Sequence, residues 1–223
     1  MFAGREAIQE TMLYLAPMFP ITTTLRYCRN IARGIVSAVR EKHTDMLIMG
    51  WHGRRHRGPF TLGSTLDPII ERAPCDVIVL KDCGGNQTFK RVLVPLAGGP
   101  NGALALEIAS ILADKDDGKV TAFTIFSRKS EFDPNSFVAD NADRLHIDPS
   151  HVEARVVFAD SVVNAILNES QEHDLVVLGT TREPLLRQMT HASVPEEIAH
   201  RCRKPMVMVK ASAGIRSWIQ RWL

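Results

Sequence analysis

The sequence predicts an α/β protein built on a parallel β-sheet with helices on both faces. Three observations indicate this fold class: short β-branched runs alternate with segments of helical length, the strand runs are almost continuously apolar, and one unit of this pattern occurs twice in the 223 residues. Continuously apolar strands are typical of parallel sheets, because helices cover both faces of the sheet. We expect right-handed crossovers between successive parallel strands.

The repeat is visible as an alignment without gaps. The stretch DMLIMGWHGRRHRGPFTLGSTLDPIIERAPCDVIVLK at 45–81 aligns with DLVVLGTTREPLLRQMTHASVPEEIAHRCRKPMVMVK at 174–210, an offset of 129. Between the copies, KDCGGNQTFK has no apolar period and the composition of a short flexible linker. The chain is thereby divided into a first copy at 1–82, a linker at 83–89, a second copy at 90–210 and a tail at 211–223.

The second copy contains the whole unit. Its strands are predicted at 90–96, 119–126, 151–158, 174–179 and 205–210. Its helices are predicted at 101–113, 136–146, 160–172 and 193–202, and the second of these has the weakest apolar period. In such sheets, ligands bind beyond the carboxyl ends of the strands.

The first copy lacks its beginning. At the same offset, the strand that starts at Arg91 corresponds to a position before residue 1. The remaining elements are predicted as a helix at 5–16, a strand at 21–28, a helix at 30–42, a strand at 45–50, a helix opening near Ser64 and a strand at 76–81. We interpret the sequence as a fragment of a longer chain or a truncated gene product. The strands at 21–28 and 45–50 are expected to pair directly or with another chain.

Composition and charge argue against several classes of protein. The 27 basic and 25 acidic residues give a net charge of +2, so no global field favours nucleic acid. The four cysteines lack the spacing of a zinc site or a disulfide framework. No run reaches the roughly 18 to 20 apolar residues of a membrane helix, and residues 1–20 lack a signal-peptide pattern. We therefore expect a soluble, cytoplasmic protein without a nucleic-acid partner.

The loop GWHGRRHRGPFTLGST at 50–65 follows a predicted strand and lies at the ligand edge of the sheet. Its glycines allow sharp turns and close approach of the backbone to a ligand. Hydroxyl groups at the start of the next helix and the basic side chains of the loop favour a phosphate. A solvated surface loop has a similar composition, so the composition alone leaves both interpretations open. The candidate binding residues are Gly50, His52, Gly53, Arg54, Gly63, Ser64 and Thr65.

The spacing of the loop, G-x2-G-x9-G-[S/T], resembles the ATP-binding motif of the universal stress protein family. The flanking DMLIMG and APCDVIVLK resemble the fourth and fifth strands of that family, and KRVLVPLAGGPNGALALEIA resembles its first strand and helix. The resemblance covers about residues 20–210 and implies two domains of the adenine nucleotide alpha hydrolase-like fold, the first of them truncated. It implies a five-stranded parallel sheet in the order 3-2-1-4-5 and pairing of domains through their last strands, here 76–81 and 205–210. The implied ligand is ATP.

Three departures from the family pattern concern the site. The second copy has Arg182 at the position of Gly53 and Ala192 at the position of Gly63, so its motif is broken. In relatives that bind ATP, an Asp ends the first strand, whereas this chain has Ala97 there. The first copy keeps the motif but lacks that strand. Each copy therefore holds half a site, and ATP binding by this chain is expected to be weak or absent.

Two functions from different classes follow from these patterns. One is a nucleotide-binding stress or regulatory module; the other is a non-nucleotide-binding interaction module, such as the cytosolic part of a membrane transporter. The second copy resembles the tandem regions attached to amino-acid permeases and cation/proton antiporters. Self-association through the last strands, as tandem pairing or as a homodimer, is expected in either case. The tail GIRSWIQRWL predicts a short amphipathic helix, for packing or for contact with a membrane surface.

Catalytic and metal-binding patterns have little support in the sequence. No Ser-His-Asp order or supported carboxylate pair is present, so we expect no enzyme, with weak ATP hydrolysis as a third alternative. His52 and His56 are four residues apart but lie in a glycine-broken loop, which disfavours a metal site. Cys75 is interpreted as a small core residue.

Overall fold

The computed structural model describes residues 12–52, 62–81, 88–115, 117–126, 132–145, 147–180 and 194–212. The first copy contributes α1 (Ile31–Glu41), β1 (Met46–Gly50), α2 (Leu66–Arg72) and β2 (Asp76–Lys81). The second copy contributes β3 (Arg91–Pro95), α3 (Gly99–Asp114), β4 (Lys119–Phe126), α4 (Pro134–Leu145), β5 (Val152–Phe158), α5 (Val162–Glu169), β6 (Leu175–Gly179), α6 (Val194–Arg201) and β7 (Met206–Lys210). No helix in these ranges is long and apolar enough to cross a membrane.

The strands form one seven-stranded sheet in the order β1-β2-β7-β6-β3-β4-β5. Within the second copy, β5-β4-β3-β6-β7 are parallel and follow the predicted order 3-2-1-4-5. Strands β1 and β2 of the first copy are parallel to each other. The α/β fold class is confirmed, and two strands of the truncated copy extend the sheet of the complete copy.

The two copies meet where β2 pairs with β7. This pair is the antiparallel one in the sheet, with Val79 opposite Met208 near its centre. The Nζ of Lys81 donates to the carbonyl oxygens of Ala199 and Cys202, at 2.8 and 2.6 Å. At the repeat-equivalent position, the Nζ of Lys210 donates to the carbonyl oxygen of Ala73 at 2.8 Å. Each copy thus binds the carboxyl end of the other copy's last helix, where carbonyl groups lack helical partners.

Helices cover both faces of the sheet in the second copy. One buried cluster includes side chains of α1, α2, α5 and α6 together with one face of the strands. The other cluster includes α3 and α4 with the opposite face, and Leu104 and Leu106 of α3 are fully buried there. The near-continuous burial of β3 and β6 follows from this double cover and explains why their sequences are apolar throughout.

Helix α1 shows how the local sequence defines an element. The side chain of Asn30 accepts a hydrogen bond from the backbone N–H of Arg33 at 2.9 Å and so caps the amino end of the helix. Ala32, Val36 and Val39 lie on one side at helical spacing and are buried against the sheet. The predicted helix at 30–42 is therefore present with nearly the same bounds.

The predicted strand at 21–28 is wrong, because residues 20–28 form neither helix nor strand. In the second copy the equivalent strand, β5, is held by backbone bonds to β4. The counterpart of β4 lies before residue 1 at the repeat offset, so the 21–28 segment has no neighbouring strand. Direct pairing of 21–28 with β1 is likewise not found. Of the predicted helix at 5–16, residues 12–15 are helical, and residues 5–11 lie outside the described ranges.

Two further helices are shorter than predicted. The helix expected at 160–172 ends as α5 at Glu169 and continues as a 3₁₀ turn at Ser170–Glu172. The helix expected to open near Ser64 begins at Leu66. The tail at 213–223 and linker residues 82–87 lie outside the described ranges.

Candidate functional site

The first half of the candidate loop starts at the carboxyl end of β1. The backbone N–H of Trp51 donates to the carbonyl oxygen of Leu80 at 2.7 Å and continues the parallel pairing by one residue. His52 is exposed, and a Cβ added at Gly50 would have no atom of the described residues within 4 Å. Gly50 and His52 therefore border open space at the ligand edge of the sheet.

Trp51 is a residue that the sequence analysis missed. Its side chain is only 6% exposed and lies edge-on against His200 of the second copy, with ring centroids 5.1 Å apart. The Nζ of Lys81 lies 5.9 Å from the centre of the indole ring, within the range of a cation–π contact. A lone Trp between an apolar strand and a glycine-rich loop was the available signal. Trp51 therefore ties the start of the loop to the interface between the copies.

The indole Nε1 of Trp51 is buried and has no hydrogen-bond partner among the residues that the structure describes. Buried N–H groups are usually paired, and leaving one unpaired costs about 1 to 3 kcal/mol. Packing against His200 offsets this cost through burial and ring contact. The position of Trp51 is consequently fixed by packing rather than by polar contacts.

The second half of the loop rejoins the described chain at Leu62 and leads into α2. Gly63 has a φ of +132°, a backbone conformation that glycine adopts readily and other residues rarely do. Ser64 is exposed, and Thr65 occupies the N-cap position without using its side chain as a cap. The hydroxyl group of Thr65 therefore does not cap α2.

Asp67 is a second residue that the sequence analysis missed. Its buried carboxylate accepts hydrogen bonds from the backbone N–H groups of Leu62 at 3.1 Å and Gly63 at 3.5 Å. The second distance exceeds the usual range of about 2.7 to 3.2 Å, so the Gly63 amide is weakly engaged. An acidic residue in the first turn of a helix is the signal that could have indicated this contact.

The remaining members of the predicted site lie outside the described ranges. These are Gly53 and Arg54; the second-copy residues Arg182 and Ala192, equivalent to Gly53 and Gly63, also lie outside the described ranges. The structure thus places Gly50 and His52 at one end of the loop and Gly63, Ser64 and Thr65 at the other end. The role of these residues in binding remains a prediction.

In the second copy, the first turn of α3 packs against the equivalent edge of the sheet. The side-chain amide of Asn101 donates to the carbonyl oxygen of Thr180, and its Oδ1 accepts from the backbone N–H of Ala211 at 2.7 Å. A Cβ at Gly179 would lie 3.0 Å from the backbone carbonyl of Asn101. Ala97 is exposed beside this turn. The glycine that ends β6 therefore allows a helix to approach closely.

Desolvation shifts the pKa values of two buried ionisable groups near the junction of the copies. Burial raises the pKa of the Cys75 thiol, so the thiolate form is disfavoured and the side chain behaves as a small core residue. Burial lowers the pKa of the neighbouring Lys210 ammonium. Among the described residues, no group of three His, Cys, Asp or Glu side chains could hold a metal ion.

Comparisons with known proteins agree with this architecture. The family model described as the universal stress protein family matches residues 4–81 and 88–210. A universal stress protein from Archaeoglobus fulgidus superposes with a TM-score of 0.70 at 17% identity, covering 95% of this chain and 77% of that one. A functionally unknown protein from Pseudomonas aeruginosa superposes with a TM-score of 0.60 at 11% identity, covering 97% and 80%. At these identities the superpositions establish the fold alone.

A curated relative adds a different kind of similarity. The Na⁺/H⁺ antiporter NhaS5 of Synechocystis is 24% identical over 193 residues, which cover 82% of this chain. The match covers 27% of the antiporter, so the chain spans about a quarter of that protein.

Proposed function

Because the chain belongs to the universal stress protein family, we propose that it is a regulatory module that binds ATP through the first copy of its repeat. The observation that carries the proposal is Gly63, whose φ of +132° occurs at the motif position where the backbone must approach a ligand. An exposed Ser64 follows it directly. The matching position of the second copy is Ala192, so this proposal distinguishes the two copies.

The triphosphate is proposed to lie between the two ends of the loop. Gly50 and Gly53 leave space for it, and the hydroxyl groups of Ser64 and Thr65 donate hydrogen bonds to phosphate oxygens. Arg54 supplies positive charge, which strengthens hydrogen bonds to phosphate. His52, exposed at the start of the loop, borders the same space.

The second copy is proposed to support the first rather than to bind nucleotide. Its motif is interrupted at Arg182 and Ala192, and α3 closes its edge through Asn101. The domain division at 1–82 and 90–210, with a linker at 83–89 and a tail at 211–223, belongs to this proposal. We assign no catalytic residue, so the role of ATP is regulatory binding rather than hydrolysis.

The similarity to an Na⁺/H⁺ antiporter supports a setting for this module. We propose that the chain acts with a cation/proton transporter and responds to nucleotide on the cytoplasmic side of the membrane. The β2–β7 contact offers a route for the response, because Trp51 at the start of the loop packs on His200 across it. Nucleotide that reorders the loop would thereby act on the pairing of the copies.

Equilibrium titration of ATP into matched variants tests the proposal, in a chain extended at its amino end by the strands and helix that the first copy lacks, because residues 1–223 alone are expected to bind ATP weakly or not at all. Gly63→Val and Gly53→Val each add a β-branched side chain where a phosphate is to contact the backbone. A lost contact of this kind costs about 1 to 3 kcal/mol, a loss of roughly 5- to 150-fold in affinity. Ala192→Val is the matched control in the second copy and should bind as the parent does.

A second function has an observation of its own. Strand β1 lies at the end of the sheet and pairs with β2 alone among the described strands. An exposed strand edge favours the binding of further polypeptide, as expected for a non-nucleotide-binding interaction module. Equal ATP affinities for the parent, Gly63→Val and Ala192→Val, or no binding by any of them, would replace the nucleotide-binding proposal with this one.

A further inference from the structure

Residues 26–37 form a cleft beside the amino end of α1. The cleft has a volume of about 460 Å³, within the range of about 300 to 1,000 Å³ that is typical of small-molecule sites. The residues that line it include three arginines, an aromatic ring and a thiol, namely Arg26, Arg29, Arg33, Tyr27 and Cys28. One short segment builds the cleft, so its shape depends on local contacts.

Two contacts attach the segment before α1 to the helix. A Cβ added at Gly34 would lie 2.5 Å from the Sγ of Cys28, so the glycine allows the segment to pack closely on the first half of α1. The guanidinium of Arg26 donates to both carboxylate oxygens of Glu41, at the other end of the helix. These contacts hold the walls of the cleft in place.

The positive charge in the cleft is not balanced by its own side chains. Among the described residues, none that lines the cleft is acidic. The carboxylate of Glu41 is already engaged, because it accepts from Arg26 and from the hydroxyl group of Ser37, the latter at 2.9 Å. Arg29 and Arg33 form no ion pair with any residue that the structure describes. Both guanidinium groups are therefore available to an anion.

These two arginines lie where a helix disfavours positive charge. The amino end of a helix carries partial positive charge, which favours acidic side chains in the first turn. No acidic residue occupies the first turn of α1; Arg33 lies there instead, and Arg29 directly precedes the cap residue Asn30. Departures from such local preferences are expected at functional sites. An anion in the cleft would be attracted both by the arginines and by the end of the helix.

We infer that the cleft binds a small organic phosphate monoester. The phosphate lies between Arg29 and Arg33, because a planar guanidinium presents paired N–H donors that match two phosphate oxygens. A phosphate dianion balances both arginines, whereas a carboxylate balances one. The organic part lies against the ring of Tyr27, since the volume of the cleft holds a small molecule together with its phosphate. This site is separate from the proposed nucleotide loop, which begins at Gly50.

Phenyl phosphate serves as the probe, and the cysteine in the cleft reports its binding. Cys28 is exposed and lines the cleft, whereas Cys75 and Cys202 are buried. The rate at which N-ethylmaleimide alkylates Cys28 in the 223-residue chain is measured by mass spectrometry of the peptide that contains it. At about 5 mM, phenyl phosphate should slow this rate by about fivefold or more, as expected for a dissociation constant of about 1 mM or less.

Two matched ligands separate the parts of the probe. Benzoate has the same ring with one negative charge, and inorganic phosphate has the charge without the ring. Benzoate at the same concentration should give no protection of Cys28. Inorganic phosphate should protect less than phenyl phosphate does, because it makes no contact with Tyr27.

Four variants locate the effect. Arg29→Met and Arg33→Met each remove one guanidinium from an exposed position, and each should weaken phenyl phosphate binding by about tenfold or more. Arg33→Met should keep or raise the midpoint of thermal unfolding, because it removes a positive charge from the first turn of α1. Arg40→Met removes an arginine from the last turn of the same helix and should bind as the parent does. Gly63→Val alters the nucleotide loop and should leave phenyl phosphate binding unchanged.

Several results would overturn the inference. One is unchanged alkylation of Cys28 in the presence of about 5 mM phenyl phosphate, and another is equal protection of the parent, Arg29→Met and Arg33→Met. Equal protection by benzoate would contradict recognition of a phosphate, and equal protection by inorganic phosphate would assign the cleft to the free ion. Loss of protection in Gly63→Val would assign the effect to the nucleotide loop.

Discussion

Adding one methyl group at each of two equivalent glycines is expected to change the stability of the chain differently, because, among the described residues, a helix packs closely against only one of them. Gly179 and Gly50 end β6 and β1 at matching positions of the repeat. A Cβ at Gly179 would lie 3.0 Å from the carbonyl carbon and oxygen of Asn101 and 3.1 Å from its Cβ. Real Cβ atoms rarely come so close to backbone, so Gly179→Ala forces the first turn of α3 to move.

The cost of that movement can be estimated. Asn101 holds the turn through bonds to Thr180 and Ala211, so the shift strains both hydrogen bonds as well as the packing. Overpacking of this kind costs about 1 to 3 kcal/mol. For a chain of this size, that corresponds to a fall of about 2 to 12 °C in the midpoint of thermal unfolding.

Gly50→Ala is the matched change with the opposite expectation. No atom of the described residues lies within 4 Å of the new methyl group, and the substitution lowers the entropy of the unfolded chain. We expect stability between unchanged and about 1 kcal/mol higher. Thermal and urea unfolding followed by circular dichroism measures both variants. Destabilisation of Gly50→Ala equal to that of Gly179→Ala would refute the difference in packing between the two glycines, and an unchanged Gly179→Ala would refute the close approach of α3.

Two further predictions concern pH. Hydrogen bonding to Arg26, and then to Ser37, lowers the pKa of Glu41 to about 2, so its stabilising contribution is present above the ordinary value of 4.5 and is lost as the pH falls towards 2. An NMR titration should place the midpoint near 2 in the parent and at a higher pH in Arg26→Met, still below 4.5 because Ser37 remains; equal midpoints would contradict the ion pair. Burial lowers the pKa of Lys210 below 10.5, so the unfolded chain binds more protons just below that pH and stability rises as the pH approaches 10.5. The raised pKa of the buried Cys75 thiol gives a fall in stability over the same range in all variants, so urea unfolding from about pH 9 to 10.5 should show a more positive pH slope in the parent and in Lys81→Met than in Lys210→Met. The same slope in all three would count against burial of the Lys210 ammonium.

The second copy could be predicted well because its information is local and repeated. Its five β-branched runs have helices between them that are long enough for right-handed crossovers, and this alternation restricts the sheet to few topologies. Double burial makes β3 and β6 apolar at every position, which identifies them as central strands. The gapless repeat then identified β1 and β2 from β6 and β7.

The segment at 21–28 shows where local pattern fails. Its β-branched Ile and Thr residues and its Tyr favour a strand, but a strand is stable only with a neighbour to pair with. The sequence that would supply the neighbour is not among the 223 residues, as the repeat offset indicates. A segment whose sequence favours a strand does not form one when no other strand pairs with it.

The candidate site was predictable in its glycines and hydroxyl groups but not in its surroundings. Gly63 could be identified from motif spacing because its role is a backbone conformation. The roles of Trp51 and Asp67 depend on tertiary contacts, with His200 across the junction and with the amides of Leu62 and Gly63. Contacts between residues 149 positions apart, as for Trp51 and His200, leave no periodic signal in the sequence.

The central claim is that the first copy, and not the second, takes the phosphates of ATP. Photolabelling of the chain extended by the strands and helix that the first copy lacks, with an ATP analogue that carries its reactive group on the γ-phosphate, tests this claim most directly when the digested chain is read by mass spectrometry. The account predicts a label within residues 50–65 that excess ATP removes, with none in the equivalent residues 179–194. Equal labelling of both segments, or labelling that excess ATP does not reduce, would contradict it.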